Sequence, residues 1–150
     1  MAVLVSKPAP FFNDSDKVFS AVLGDGNIVD DFSFKAATKG KYAVVFFYPL
    51  DFTFVCPSEI IAFNNRLEEF KKRNVELISV SVDSQFTHSA WRNTAVDAGG
   101  IGPVGFTMVA DIKREIIQAF DVESDGGVAF RGSFLIDKDG VVQHQVVNNL

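Results

Sequence analysis

Cysteine is all but missing from this chain: its 150 residues contain one, Cys56. A single thiol excludes an internal disulfide and a cysteine-cluster zinc site. Positive charge is scarce too. Lys and Arg number 14 against 19 Asp and Glu, a net charge of −5. The one basic cluster, Lys71-Lys72-Arg73, reads as a helix C-terminus. A nucleic-acid surface needs a basic stripe, and none is present. No apolar run exceeds strand length, so no membrane span is expected. Residues Met1 to Pro8 lack the basic start and long apolar stretch of a secretory signal. With no export signal, a reducing cytoplasm is the expected compartment.

What is present suits one domain with a substantial core. Hydrophobic residues make up 47% of the chain, and 16 of them are Phe. A chain this long buries roughly 70% of its unfolded surface. No repeat, linker or low-complexity tract interrupts residues 1–150.

The patterning predicts a mixed α/β architecture. Phe19 to Leu23 and Asn27 to Val29 flank Gly24-Asp25-Gly26, a hairpin turn signal. Tyr42 to Tyr48 is a continuous apolar run, expected as a central strand buried on both faces. A helical period runs from Pro57 to about Lys72, with Ile60, Phe63, Leu67 and Phe70 on one side. Val75 to Val82 is the next strand. Asp83-Ser84 can cap a helix running through Trp91 toward Ala98, stopped by Gly99-Gly100. Thr107 to Ala110 reads as a strand and Lys113 to Phe120 as a helix. Ala129 to Ile136 and Val141 to Val147 close the chain as a hairpin around Asp137-Lys138-Asp139-Gly140. The order implies a central mixed sheet with helices on both faces.

A lone Cys is commonly inert filler, but the context of Cys56 points elsewhere. Pro57 follows it directly, and Pro favours the first position of a helix. Cys56 therefore falls at or beside a helix N-terminus, where unpaired N–H groups and the helix dipole favour thiolate. Thiolate is the nucleophilic form. The preceding loop follows the carboxyl end of a buried strand, where crevices form in α/β sheets. Phe52, Phe54 and Val55 are expected to keep that crevice dry. Two carboxylates, Asp51 and Glu59, flank the thiol and would raise its pKa if both faced it. Glu59 paired with an arginine is the better expectation. His88 and His144 lack ligand spacing and are not expected to act in chemistry.

The segment Phe47 to Glu59, FYPLDFTFVCPSE, closely resembles the active-site signature of the peroxiredoxins. The likeness is to the branch of alkyl hydroperoxide reductase C and the typical two-cysteine enzymes, here C-terminally truncated. Further matches are Val80 to His88 with Trp91, the Gly99-Gly100-Ile101-Gly102 element, and Arg131 to Asp137. The resemblance implies a thioredoxin-like fold with an N-terminal hairpin, and a thiol-dependent peroxidase. It implies Cys56 as the peroxidatic thiolate, Thr53 as a hydrogen-bonding partner of the peroxide, and Pro49 as a shield against water. Arg131 would stabilise the thiolate and the leaving oxygen, with Glu59 orienting it.

The likeness implies no metal, haem or flavin. It also implies hydrogen peroxide or alkyl hydroperoxides as substrates, thioredoxin or a similar thiol as reductant, and a homodimer through the last strand, with a decamer beyond it. Relatives of this branch continue past the position of Leu150 with a resolving cysteine, so a truncated form of a longer enzyme is expected. Ser58 stands where Thr is commoner and keeps the hydroxyl. Two rival functions are a holdase-type chaperone or signalling partner, and a disulfide oxidoreductase. The last wants Cys-x-x-Cys, and Glu59 occupies that offset.

Overall fold

The computed structural model describes residues 2–14, 16–53 and 56–150, without the side chain of Cys56. A seven-stranded sheet has the order β2-β1-β5-β4-β3-β6-β7. Its strands are β1 (Phe19–Val22), β2 (Ile28–Phe32), β3 (Tyr42–Phe47), β4 (Val75–Ser81), β5 (Thr107–Ala110), β6 (Arg131–Ile136) and β7 (Val142–Asn148). The helices are α1 (Phe34–Ala37), α2 (Cys56–Asn65), α3 (Leu67–Lys72), α4 (Gln85–Arg92) and α5 (Glu115–Ala119). Strands β3, β4 and β5 run parallel, and the flanking pairs are antiparallel. Both hairpins form as the turn signals predict.

Strand β3 shows why the sheet has two faces of core. Ala43, Val45 and Phe47 join one hydrophobic cluster, with Phe34 and Ile117, while Phe46 and Tyr48 join the other, with Ile60 and Trp91. Side chains alternate across a strand, so a run apolar at every position must be covered twice. Phe–Phe ring pairs knit both layers: Phe46 stacks on Phe63 at 4.2 Å in one, and Phe120 meets Phe134 edge-on at 5.1 Å in the other.

Two helical stretches depart from the sequence expectation, and one short helix lies beyond it. The helix expected over Pro57 to Lys72 is two helices that break at Arg66, whose N–H bonds to the Phe63 carbonyl three residues back. The apolar stripe continues across the break, so periodicity alone reads through it. The helix expected to approach Ala98 ends at Arg92, followed by a 3-10 turn over Val96–Ala98. Gly99 closes that turn at φ 91°, and a Cβ on Gly100 would lie 2.0 Å from the Thr94 carbonyl oxygen. The glycines stop a turn rather than the helix itself. The one-turn helix α1, capped by Ser33 Oγ accepting from the Ala36 N–H, is too short to carry a periodic signal.

Buried Asp111 caps α5 from outside it, accepting from the N–H groups of Ile116 at 3.1 Å and Ile117 at 2.9 Å. Burial nevertheless raises its pKa above the ordinary 3.8, the two N–H donors offsetting only part of that cost. The folded chain thus holds this proton to higher pH than the unfolded chain does. Its contribution to stability must fall as pH rises from 3.8 through the raised value. Denaturant titrations across that acid range should show the native protein losing stability relative to Asp111→Asn as pH increases. A difference independent of pH would contradict the assignment.

Candidate active site

Strand β3 ends at Phe47, and Tyr48 to Thr53 cross to α2, which begins at Cys56. Cys56 therefore occupies the helix N-terminus that its neighbour Pro57 forecasts, at the carboxyl edge of the parallel strands. The Cys56 sulfur, Phe54 and Val55 lie outside the described residues. Helix α2 is held over the sheet by Ile60, fully buried, and by Phe63 on Phe46.

Arg131 reaches this helix from the neighbouring strand. It opens β6, which pairs with β3 through Gly132 opposite Phe47. Its Nη1 donates to Glu59 Oε1 at 3.1 Å, and its side chain is only 18% exposed. Glu59 is in the first turn of α2, three residues after Cys56. Residues three apart share a helix face, so the ion pair brings the guanidinium to the turn that carries the thiol. The expected pairing of Glu59 with Arg131 is what the fold makes. A groove of about 410 Å³ continues from this pair along α2, between Phe63, Phe70, Gly132 and Val146.

Thr53 and Pro49 lie in the β3–α2 loop, both partly buried. The Thr53 hydroxyl donates to the Leu50 carbonyl at 3.1 Å. That leaves its oxygen lone pairs as acceptors. Phe52 does less to seal the crevice than expected. It is 50% exposed, and its ring lies 5.9 Å from that of Trp91 on α4.

Sequence reading missed a buried polar network under this loop. Tyr48 Oη donates to Asp51 Oδ1 at 2.6 Å, and His88 Nδ1 lies 2.7 Å from Asp51 Oδ2. His88 Nε2 faces the Val109 carbonyl at 3.0 Å. The Asp51 N–H donates to Asp83 Oδ2, which also accepts from Ser81 Oγ. Burial raises the pKa of Asp51, opposed by its bond to His88 and the charge there. Burial first, then the Asp51 charge, push Tyr48 well above its usual value. The carboxylates considered as a flanking pair are thus split: Glu59 goes to Arg131 and Asp51 to His88. Asp51, Asp83 and His88 have the types and spacing of metal ligands. Each, however, is already bonded to a protein group, so the cluster closes on itself. Nothing in sequence pairs positions 37 apart; only α4 packing under the loop does.

Residues 6–145 match the model of the AhpC/TSA family. The chain belongs to that family. It is 51% identical over 149 residues to alkyl hydroperoxide reductase C of Buchnera aphidicola subsp. Baizongia pistaciae, covering 99% of this chain and 72% of the relative. The reduced 2-Cys peroxiredoxin of Plasmodium vivax superposes with a TM-score of 0.90 at 44% identity, over 98% of this chain and 86% of that one. A Plasmodium yoelii Prx1a, modified at its N-terminus and described as forming an artifactual octamer, gives 0.84 at 49% identity, over 88% and 76%. The fold is therefore the thioredoxin-like peroxiredoxin fold, and the chain is a thiol-dependent peroxidase of that class.

Proposed function

We propose that this chain reduces hydrogen peroxide and alkyl hydroperoxides through Cys56. The observation that carries the assignment is the Arg131–Glu59 pair at the first turn of the helix Cys56 begins. The Cys56 thiolate attacks the terminal oxygen of the peroxide, forming an S–O bond as the O–O bond breaks. The attacked oxygen keeps its hydrogen, leaving a sulfenic acid. The departing alkoxide or hydroxide takes a proton and leaves as alcohol or water. Arg131 offsets the charge on the thiolate and on the departing oxygen. The Thr53 oxygen, its own proton engaged by Leu50, accepts from the peroxide O–H. Pro49 limits water at the crevice.

Thioredoxin or a similar dithiol returns the sulfenic acid to thiol: one thiol forms a mixed disulfide and releases water, and the second displaces Cys56. Self-association would use β7, the last strand of the sheet: Ser6 and Lys7 bond to Val142 at its start, and the rest of its outer edge suits antiparallel pairing with a second copy across a two-fold axis. A decamer would build on that dimer. A reducing compartment such as the cytoplasm fits a catalytic thiol. No helix of the described residues is long and apolar enough to cross a membrane.

Stopped-flow mixing of reduced protein with substoichiometric hydrogen peroxide, followed by mass analysis, tests this reading. A rapid single-oxygen adduct on Cys56 is expected. A thiol no faster than free cysteine would remove the peroxidase assignment.

A further inference from the structure

The loop bearing Pro49 and Thr53 is held in a conformation that it would not choose alone. Phe52 has φ 59°, in the left-handed region that bulky residues avoid. Such strain persists only where surrounding contacts impose it. Here the contacts converge on Asp51 and Phe52. Asp51 is tied by its carboxylate to Tyr48 and His88 and by its N–H to Asp83, and the Phe52 ring rests on Trp91. Asp83, His88 and Trp91 all come from α4 or the residues leading into it. Tyr48 from the end of β3, and Ser81 and Val109 from β4 and β5, complete the surroundings.

The proton count of the pair is set by geometry. Both ring nitrogens of His88 face acceptors, the Asp51 carboxylate and the Val109 carbonyl. A proton must sit on Nε2, or two lone pairs oppose each other in a dry interior. A second proton must lie between Nδ1 and Oδ2 for the same reason. With both present, every polar atom of the pair is satisfied. With one removed, a buried contact turns repulsive.

We propose that the His88–Asp51 pair, sharing those two protons and braced by Tyr48 and Asp83, is a positioning device that sets the Pro49–Thr53 loop for peroxide binding. It rests on the assignment of Cys56 and Thr53 to the peroxide site. His88 and Asp51 act through the loop and touch no substrate.

The test compares two reagents on the same thiol. Hydrogen peroxide needs the loop geometry; iodoacetamide needs only an accessible thiolate. His88→Ala and Asp51→Ala should each slow oxidation by peroxide about 10²-fold, the cost of misplacing a reacting group by roughly 1 Å, and leave alkylation within about threefold. Asp51→Asn should recover most of that loss. Its Nδ2 can donate to Nδ1 of a neutral His88 whose Nε2 still donates to Val109, and its oxygen can accept from Tyr48. Tyr48→Phe, which keeps the ring and deletes one hydrogen bond, should slow peroxide alone by about fivefold. That variant is mild enough to carry the test if the alanine variants do not fold. Unchanged peroxide rates, equal slowing of both reagents, or no recovery in Asp51→Asn would each overturn the inference while native selectivity for peroxide survived. Absence of that selectivity in the native protein overturns the peroxidase assignment and this inference with it.

Discussion

Serine in place of Cys56 leaves no peroxide reduction above the buffer rate. The chain has no second cysteine to substitute for it. A serine hydroxyl at the same helix N-terminus stays protonated at neutral pH, since the dipole lowers a pKa by far less than separates an alcohol from a thiol. It therefore offers no anion to attack the peroxide oxygen. The substitution removes one sulfur and adds nothing bulky, so denaturation curves should stay close to those of the native chain. Peroxide consumption in a coupled assay, alongside the absence of an oxygen adduct by mass, reads the outcome. Retained turnover in the serine variant would move the chemistry to another group.

Arg131→Ala should slow oxidation of Cys56 by about 10²- to 10³-fold, the scale for losing one preorganised donor to a developing anion. On the proposed reading two effects combine: the thiolate loses the cation assigned to it, and the departing oxygen loses a donor as its charge builds. Glu59, deprived of its partner, then leaves a carboxylate in the first turn of α2, which disfavours the thiolate further. Arg131→Lys should recover only part of the rate, because an ammonium is a point charge without the planar fork that serves two acceptors at once. Rates measured by stopped flow over a pH series separate the two effects. A loss that disappears once pH is high enough to ionise the thiol fully belongs to the thiolate alone. A loss that persists belongs to the leaving oxygen. A rate unchanged at all pH values would take Arg131 out of the site.

The same residues show where sequence reasoning reaches and where it stops. Tyr42 to Tyr48 reads as a doubly buried strand because apolarity at every position has one structural solution, and β3 is that strand. Pro57 marks a helix start because its ring supplies the φ a first turn needs, and α2 begins one residue before it, at Cys56. The joint at Arg66 leaves no mark on the pattern, because an apolar stripe continues through it. His88 carries no local sign of its role because its partners, Asp51 and Tyr48, lie 37 and 40 residues away. Arg131 by itself is one more strand arginine; the family likeness of the segment Arg131 to Asp137 makes it a candidate, and β6 lying beside β3 brings it to Glu59.

Local signals in the chain alone determined the class of fold, the buried central strand, both hairpins and the helix terminus that carries the thiol, because each depends on residues within a few positions of one another. The tertiary structure decided that Asp51 meets the imidazole, that β6 lies where Arg131 can make its expected pair with Glu59, and how the loop between them is held. Those pairings depend on which strands lie side by side and which helix packs beneath them, and no spacing along a chain encodes a distance across a sheet.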